Sequence, residues 1–406
     1  MNNFRIYMKV LFLFFLIVIL IISVMNYIVN PYSINKPPGS LLSGLRDITS
    51  FNYMRMSKPY RIEDLSPKSI ILGTSRTGRG ISPGYLGFKY KPVYNSALTA
   101  SKVYEAYRML QHANCEKGIR QVVFSLDFIQ FSPDKKYNSG FAEERLCPER
   151  EWNSVKPDFI KSIFSNDATI LSLKKLFLQK TGWKYEVFPN GRWIVNSKRH
   201  NKVAAKLTDI DFMSTRYGKM PKDFNRYIIE DKDNQFKYFK RILEICYEND
   251  IDLIMFISPS HARQWEVVDR LGLMNAWDDW KRNLVKANEA LAITYKVTPY
   301  PLWDFSGYNK YTTERFPEYS DKSTRMKWYW ESSHYNKTLG DILLNVIMRN
   351  NEVQDPESED FGVMLRSANI EQHLKTIRIS QKKYQQNHPE TVFEMDGLAV
   401  KHIYGK

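Results

Sequence analysis

Val10 to Val29 reads VLFLFFLIVILIISVMNYIV, twenty consecutive positions without a charged side chain. Wound as a helix, such a run is about 30 Å long, the thickness of a bilayer's hydrocarbon core. It predicts a transmembrane anchor over 10–29, a short tail over 1–9, and a main body in an aqueous compartment. Arg5 and Lys9 precede the run and Lys36 follows it. That cation bias favours a cytoplasmic N-terminus and an extracytoplasmic main domain, periplasmic or on the cell surface. The run is longer than a usual signal-peptide core and no A-x-A-like site follows, so an uncleaved anchor is expected.

The remainder is too apolar for a disordered protein: 43% of the 406 residues are hydrophobic and 14% aromatic, ample for a packed core. An excess of 59 Lys and Arg over 44 Asp and Glu gives a net charge of +15. This favours anionic partners, although the charge is spread without a basic tract. No nucleic-acid partner is expected. Cys115, Cys147 and Cys246 are too few for a disulfide framework and match no zinc spacing. Cys246 lies on the apolar stripe of an expected helix, and Cys115 and Cys147 could pair outside the cytoplasm. No metal or organic cofactor is implied.

Residues 30–66 read as an irregular tether containing Pro31, Pro37 and Pro38. Then short apolar runs at Ser69–Leu72, Pro92–Leu98 and Gln121–Leu126 alternate with a helix-period segment, Ser101 to Ala113. The alternation lapses over 131–231, a charged and aromatic stretch read as an insertion or cap. It returns with a helix near Asn234–Asn249, the run Asp252–Pro259, a helix over Asn275–Tyr295 and a strand at Tyr300–Phe305. Strands separated by helices predict an α/β fold, a doubly wound and mainly parallel sheet whose ligand crevice lies beyond the carboxyl ends of its strands. Residues 67–130 and 232–349 form its two parts. The segment 350–406 begins acidic and offers one more helix, Ala368 to Gln386, as an extension beyond the core.

The first of these strands opens onto Gly73-Thr-Ser-Arg-Thr-Gly-Arg-Gly80. A phosphate-cradling P-loop would need Lys and then Ser or Thr where Arg79 and Gly80 stand, so that reading fails. A serine nucleophile instead requires a histidine and a carboxylate to orient it. Among seven histidines, His334 stands three residues after Glu331 in Trp330-Glu-Ser-Ser-His-Tyr335, before a helix-period run. On a tight loop that spacing could let Glu331 accept from one ring nitrogen while the other faces Ser75. At the end of another expected strand, His261 in Ser258-Pro-Ser-His261 also reaches the crevice, as a pocket or substrate contact outside the triad. Arg76 and Arg79 are candidates for an anionic substrate group or plain solvated charge. Trp328-Tyr-Trp330 could stack on sugar rings or pack beside the loop.

Gly-Thr-Ser-Arg after a first strand, joined to Glu-x-x-His late in the chain, resembles the SGNH hydrolase superfamily, the GDSL-type esterases. The resemblance covers Ser69–Asp127 and Asp252–Ile347. It implies a three-layer, flavodoxin-like sheet fold, Ser75 as nucleophile and His334 as base, with Glu331 where the family usually has Asp. It also implies an oxyanion-hole asparagine at Asn95 and a backbone donor at Ala100, where relatives commonly carry glycine; read on its own, Asn95 could equally satisfy backbone groups at a strand end. The layout looks like the membrane-anchored, exported members that acylate cell-surface polysaccharides. The expected function is therefore O-acetyltransfer or esterase chemistry on a cell-surface glycan, beside the membrane and a possible multi-spanning acyl-exporting partner. The alternative is a non-catalytic glycan-binding or scaffold descendant, to which Thr99-Ala100 and Glu331 point.

Overall fold

The computed structural model describes residues 2–35, 49–148, 152–177, 185–195, 200–321, 323–348 and 361–405. The acidic run over 350–360 and part of the expected tether, 36–48, lie outside them. The chain divides into two compact units, one of residues 1–65, 140–189 and 193–197, the other of 66–139, 190–192 and 198–406.

In the first unit, the helix Asn2–Val29 is long and apolar enough to cross a membrane. The expected irregular tether is corrected in part, because Met54–Leu65 is helical with Pro59 inside it. Burial of Met56, Tyr60 and Ile62 outweighs the hydrogen bond that proline removes. The expected insertion is likewise divided. Trp152–Phe164 and Asn166–Phe177 are helices of this unit, and Thr49–Ser50, Tyr185–Val187 and Trp193–Val195 form a small antiparallel sheet.

In the second unit, six strands form a mixed, mostly parallel sheet: β1 (Ser69–Leu72), β2 (Val93–Asn95), β3 (Gln121–Leu126), β4 (Asp252–Ile257), β5 (Leu302–Asp304) and β6 (Val363–Met364). Their order is β2-β1-β3-β4-β5-β6, parallel throughout except for the last pair. β1 and β3 are fully buried, which is why both read as continuous apolar runs rather than alternating ones. The chain leaves β1 for β2 on one side and returns to β3 on the other. That reversal is a topological switch point, where sheets of this order open a crevice.

The C-terminal segment is corrected from an extension to part of the folded body. His373 Nε2 lies 2.9 Å from an Asp304 carboxylate oxygen at the end of β5, and Ile377 packs against Gly307. The helices Ile370–Asn387 and Pro389–Ala399 follow β6, a two-residue strand too short to carry a readable period. Cys246 is a free, buried thiol.

Candidate active site

The segment leaving β1 is shaped by close approaches. A Cβ on Gly73 would meet Thr77 Oγ1 at 2.3 Å, so only glycine admits the turn. Thr74 caps the helix Ser75–Gly80 by accepting from the Arg76 N–H, and its hydroxyl donates to Asp127 at 2.5 Å. Ser75 thus starts a short helix at the switch point, partly exposed. At the other end of this helix, a Cβ on Gly80 would lie 1.9 Å from the Tyr335 ring, and one on Gly340 2.0 Å from the Gly80 carbonyl. These glycines let the helix Lys337–Met348 press against the helix Ser75–Gly80. The two distant sequence blocks meet there.

His334 is delivered by a tight loop. Tyr329 and Tyr335 pair as an antiparallel bridge, Trp330 N–H donates to the His334 carbonyl at 3.0 Å, and the turn between them holds Glu331, Ser332 and Ser333. His334 Nε2 lies 2.7 Å from Ser75 Oγ, and His334 Nδ1 is hydrogen-bonded to Glu331 Oε1. The other carboxylate oxygen accepts from the Ser333 N–H at 2.8 Å. The three side chains named from sequence therefore form one continuous hydrogen-bonded relay. Glutamate's extra methylene is absorbed by this turn.

The charges of the relay suit base catalysis. Burial alone would raise the Glu331 carboxyl, but His334, Arg79 and the Ser333 N–H outweigh it and hold its pKa at about 2. Burial lowers the His334 pKa and Arg79 adds to that, against the upward pull of Glu331. At neutral pH the imidazole is uncharged and its Nε2 can accept a proton. Activity through His334 should hold at neutral pH and fall as pH drops below the ordinary histidine range. Arg79 lies 3.8 Å from Glu331. Arg79→Gln should raise the imidazole pKa and move the acid limb of the rate profile to higher pH, measured as log kcat/KM against pH.

The remaining expectations are redrawn. Both amide hydrogens of Asn95 are engaged, on the carbonyls of Thr77 at 3.1 Å and Ile81 at 2.9 Å, while Oδ1 accepts from the Ala97 N–H. Asn95 clamps the helix Ser75–Gly80 to β2, and its amide is not free to face an oxyanion. Asn95→Ala should cost about 2–3 kcal/mol of stability in a denaturant melt. The same substitution should lower kcat by less than the roughly 100-fold typical of a lost oxyanion donor.

Arg76 is not a free anion binder. It is buried, ion-paired to Asp127 at 2.7 Å, and donates to the Ser333 carbonyl and hydroxyl at 3.2 and 3.1 Å. It braces the His334 loop against the end of β3. His261 is also committed: Nε2 donates to the Glu314 carbonyl at 2.7 Å and Nδ1 accepts from the Arg263 N–H at 3.2 Å. Burial lowers its pKa to about 3, so it stays neutral and caps the helix Ala262–Arg270. Ala100 adopts the left-handed conformation, φ 48°, which glycine occupies without strain. Tyr329 is core, its hydroxyl donating to the Pro259 carbonyl at 2.7 Å, whereas Trp330 remains 39% exposed.

Sequence reasoning missed Asp127 as the anchor of both Thr74 and Arg76. Its place directly after β3 was the available signal, since residues leaving parallel strands at that edge converge. No protein-family model matches the chain, and no curated protein matches it by sequence.

Proposed function

We propose that the chain is a membrane-anchored, exported serine acyl-transfer enzyme of the SGNH type, acting on cell-surface polysaccharide. One observation carries the reading: the Glu331–His334–Ser75 relay, assembled from blocks 259 residues apart. In the first half-reaction Ser75 Oγ attacks the carbonyl carbon of an acyl donor, an acetyl ester in this reading, and His334 Nε2 takes the hydroxyl proton. The tetrahedral intermediate collapses to acyl-Ser75 as His334 returns the proton to the leaving alcohol. In the second half a glycan hydroxyl, or water, is deprotonated by His334 and attacks the acyl ester, releasing Ser75. Glu331 holds the imidazole in the required tautomer and stabilises its charged form.

With the Asn95 amide engaged, the oxyanion donors in this proposal are the backbone N–H groups of Ser75 and Ala100. Trp330 offers an exposed ring for a sugar face. The apolar N-terminal helix supports a membrane anchor; in this proposal the main domain lies outside the cytoplasm, and a multi-spanning acyl exporter beside it supplies the acyl group.

The test incubates the full chain, in nanodiscs, with an activated acetyl ester, with and without an acceptor polysaccharide. Ester-linked acetyl on the polysaccharide supports transfer, and release of acetate alone supports the esterase form. A folded protein that yields neither acyl-enzyme nor turnover supports the non-catalytic glycan-binding or scaffold reading. For topology, protease added outside spheroplasts should digest the region after Val29; protection of that region would reverse the orientation.

A further inference from the structure

We infer that the enzyme carries an anion subsite for a carboxylate- or phosphate-bearing sugar unit of its acceptor, an assignment that rests on the proposed acyl transfer. A cavity of about 290 Å³ is lined by four cations, Lys102, Lys135, Arg216 and Lys219, and one carboxylate, Asp134. Lys102 is buried against Asp134 and the Ser132 carbonyl, Lys219 stands 4.0 Å from the same carboxylate, and Arg216 pairs with Asp211 at 2.9 Å. Counting Asp211 and the buried Glu105, which accepts from the Lys102 N–H and the Asn138 amide at 2.8 Å each, the cluster keeps one more cation than anions, and an anionic ligand would complete it.

The cavity belongs to the catalytic edge of the sheet. Its wall takes Ala100 from the segment after β2 and Ile129 and Ser132 from the segment after β3, the strands that flank β1 and Ser75. Between Arg216 and Lys219 in sequence lies Tyr217, whose hydroxyl is 3.4 Å from Arg76 Nη2, next to the nucleophile. The volume is at the small end of ligand pockets, suited to one sugar residue or its charged substituent.

The experiment titrates the full chain in nanodiscs with a galacturonate trimer, a phosphorylated oligosaccharide and a neutral trisaccharide, at low and high salt. At least one charged ligand should bind about tenfold or more tighter than the neutral one, with affinity falling as salt rises. The preferred charged ligand identifies the group. Lys135→Gln with Lys219→Gln should remove that preference while the melting temperature stays close to wild type. Ser75→Ala should bind as wild type does, so failure of the acyl chemistry is read separately from failure of the subsite. Equal affinity for neutral and charged ligands, or an unchanged preference in the folded double variant, overturns the assignment.

A separate observation assigns a lipid-facing surface in the first unit, on the premise that Asn2–Val29 spans the membrane. Twenty residues from Val10 reach across about 30 Å, which brings the Asn26–Asn30 end to the outer boundary of the hydrocarbon. There Asn26 donates to the Ile163 carbonyl at 2.8 Å and to Thr169 at 3.0 Å, and Lys175 donates to the Asn30 carbonyl. The helices Trp152–Phe164 and Asn166–Phe177 are thus docked on the emerging anchor. They expose Ile160, Ile170 and Leu173, with Phe164 60% and Phe177 76% accessible, beside Lys156, Lys161 and Lys174.

The geometry points to these two helices lying in the headgroup boundary, apolar side chains toward the acyl chains and lysines toward lipid phosphates. Phe164→Cys and Phe177→Cys, labelled with an environment-sensitive fluorophore in nanodiscs, should be quenched by nitroxide-bearing lipid and shielded from aqueous iodide. Iodide quenching without nitroxide quenching at both positions overturns the placement.

Discussion

Ser75→Ala should lower turnover of an activated acetyl ester by about 10⁴-fold or more and abolish the covalent acyl-enzyme, with the melting temperature nearly unchanged. The size follows from the roles of the relay: without Oγ there is no nucleophile for His334 to activate, and only binding and oxyanion donors remain. Ser75 is partly exposed, so losing one oxygen leaves no void of consequence. Glu331→Gln gives the companion result. An amide can present its N–H to Nδ1 and so favour the tautomer that protonates Nε2, the nitrogen needed to accept from Ser75. A fall of about 10³–10⁴ is expected. Because the two residues act as one unit, the double variant should be little worse than Ser75→Ala alone.

Stability should respond most strongly at Asp127. Asp127→Ala leaves the buried Arg76 guanidinium without its carboxylate and Thr74 without its acceptor, where the pair now lies 2.7 Å apart with both side chains almost fully covered. Breaking a buried ion pair from one side costs about 3–5 kcal/mol. Chemical denaturation should show that loss. Asp127→Leu combined with Arg76→Met should recover part of it, because no charge is then stranded. The recovered protein should nonetheless remain slow, since Arg76 also holds the Ser333 backbone and thereby the His334 loop. A double variant that is both stable and fully active would deny Arg76 that positioning role.

Much of this arrangement was legible in the residues. The runs Ser69–Leu72 and Gln121–Leu126 are strands because burial on both faces leaves no polar positions, and their alternation with helix-period segments specified a mainly parallel sheet. The relay itself was legible because its chemistry demands three residue types and the chain offers few histidines to supply one. Asn95, Arg76 and His261 were left open between substrate-side and structural roles for a common reason. Each stands at or just beyond a strand end in the right neighbourhood, but sequence does not tell whether a polar side chain there faces the crevice or satisfies backbone groups. Carbonyls of Thr77, Ile81, Ser333 and Glu314 took those donors. The close contacts of Gly80 and Gly340 were unreadable for a different reason, since they depend on two helices crossing and on no local pattern. β6 and the docked C-terminal helices escaped because a two-residue strand has no period and helix docking is decided by tertiary contacts such as His373 with Asp304.

The central claim is that Ser75 is a nucleophile activated by His334, and a serine-directed organophosphonate tests it most directly. The full-length protein would be reacted, digested and peptide-mapped by mass spectrometry alongside His334→Ala. The account predicts a single adduct on Ser75, formed rapidly by the wild-type chain and lost or slowed at least about 100-fold without His334. An unmodified Ser75 in folded wild-type protein, or equal labelling in both proteins, would contradict it.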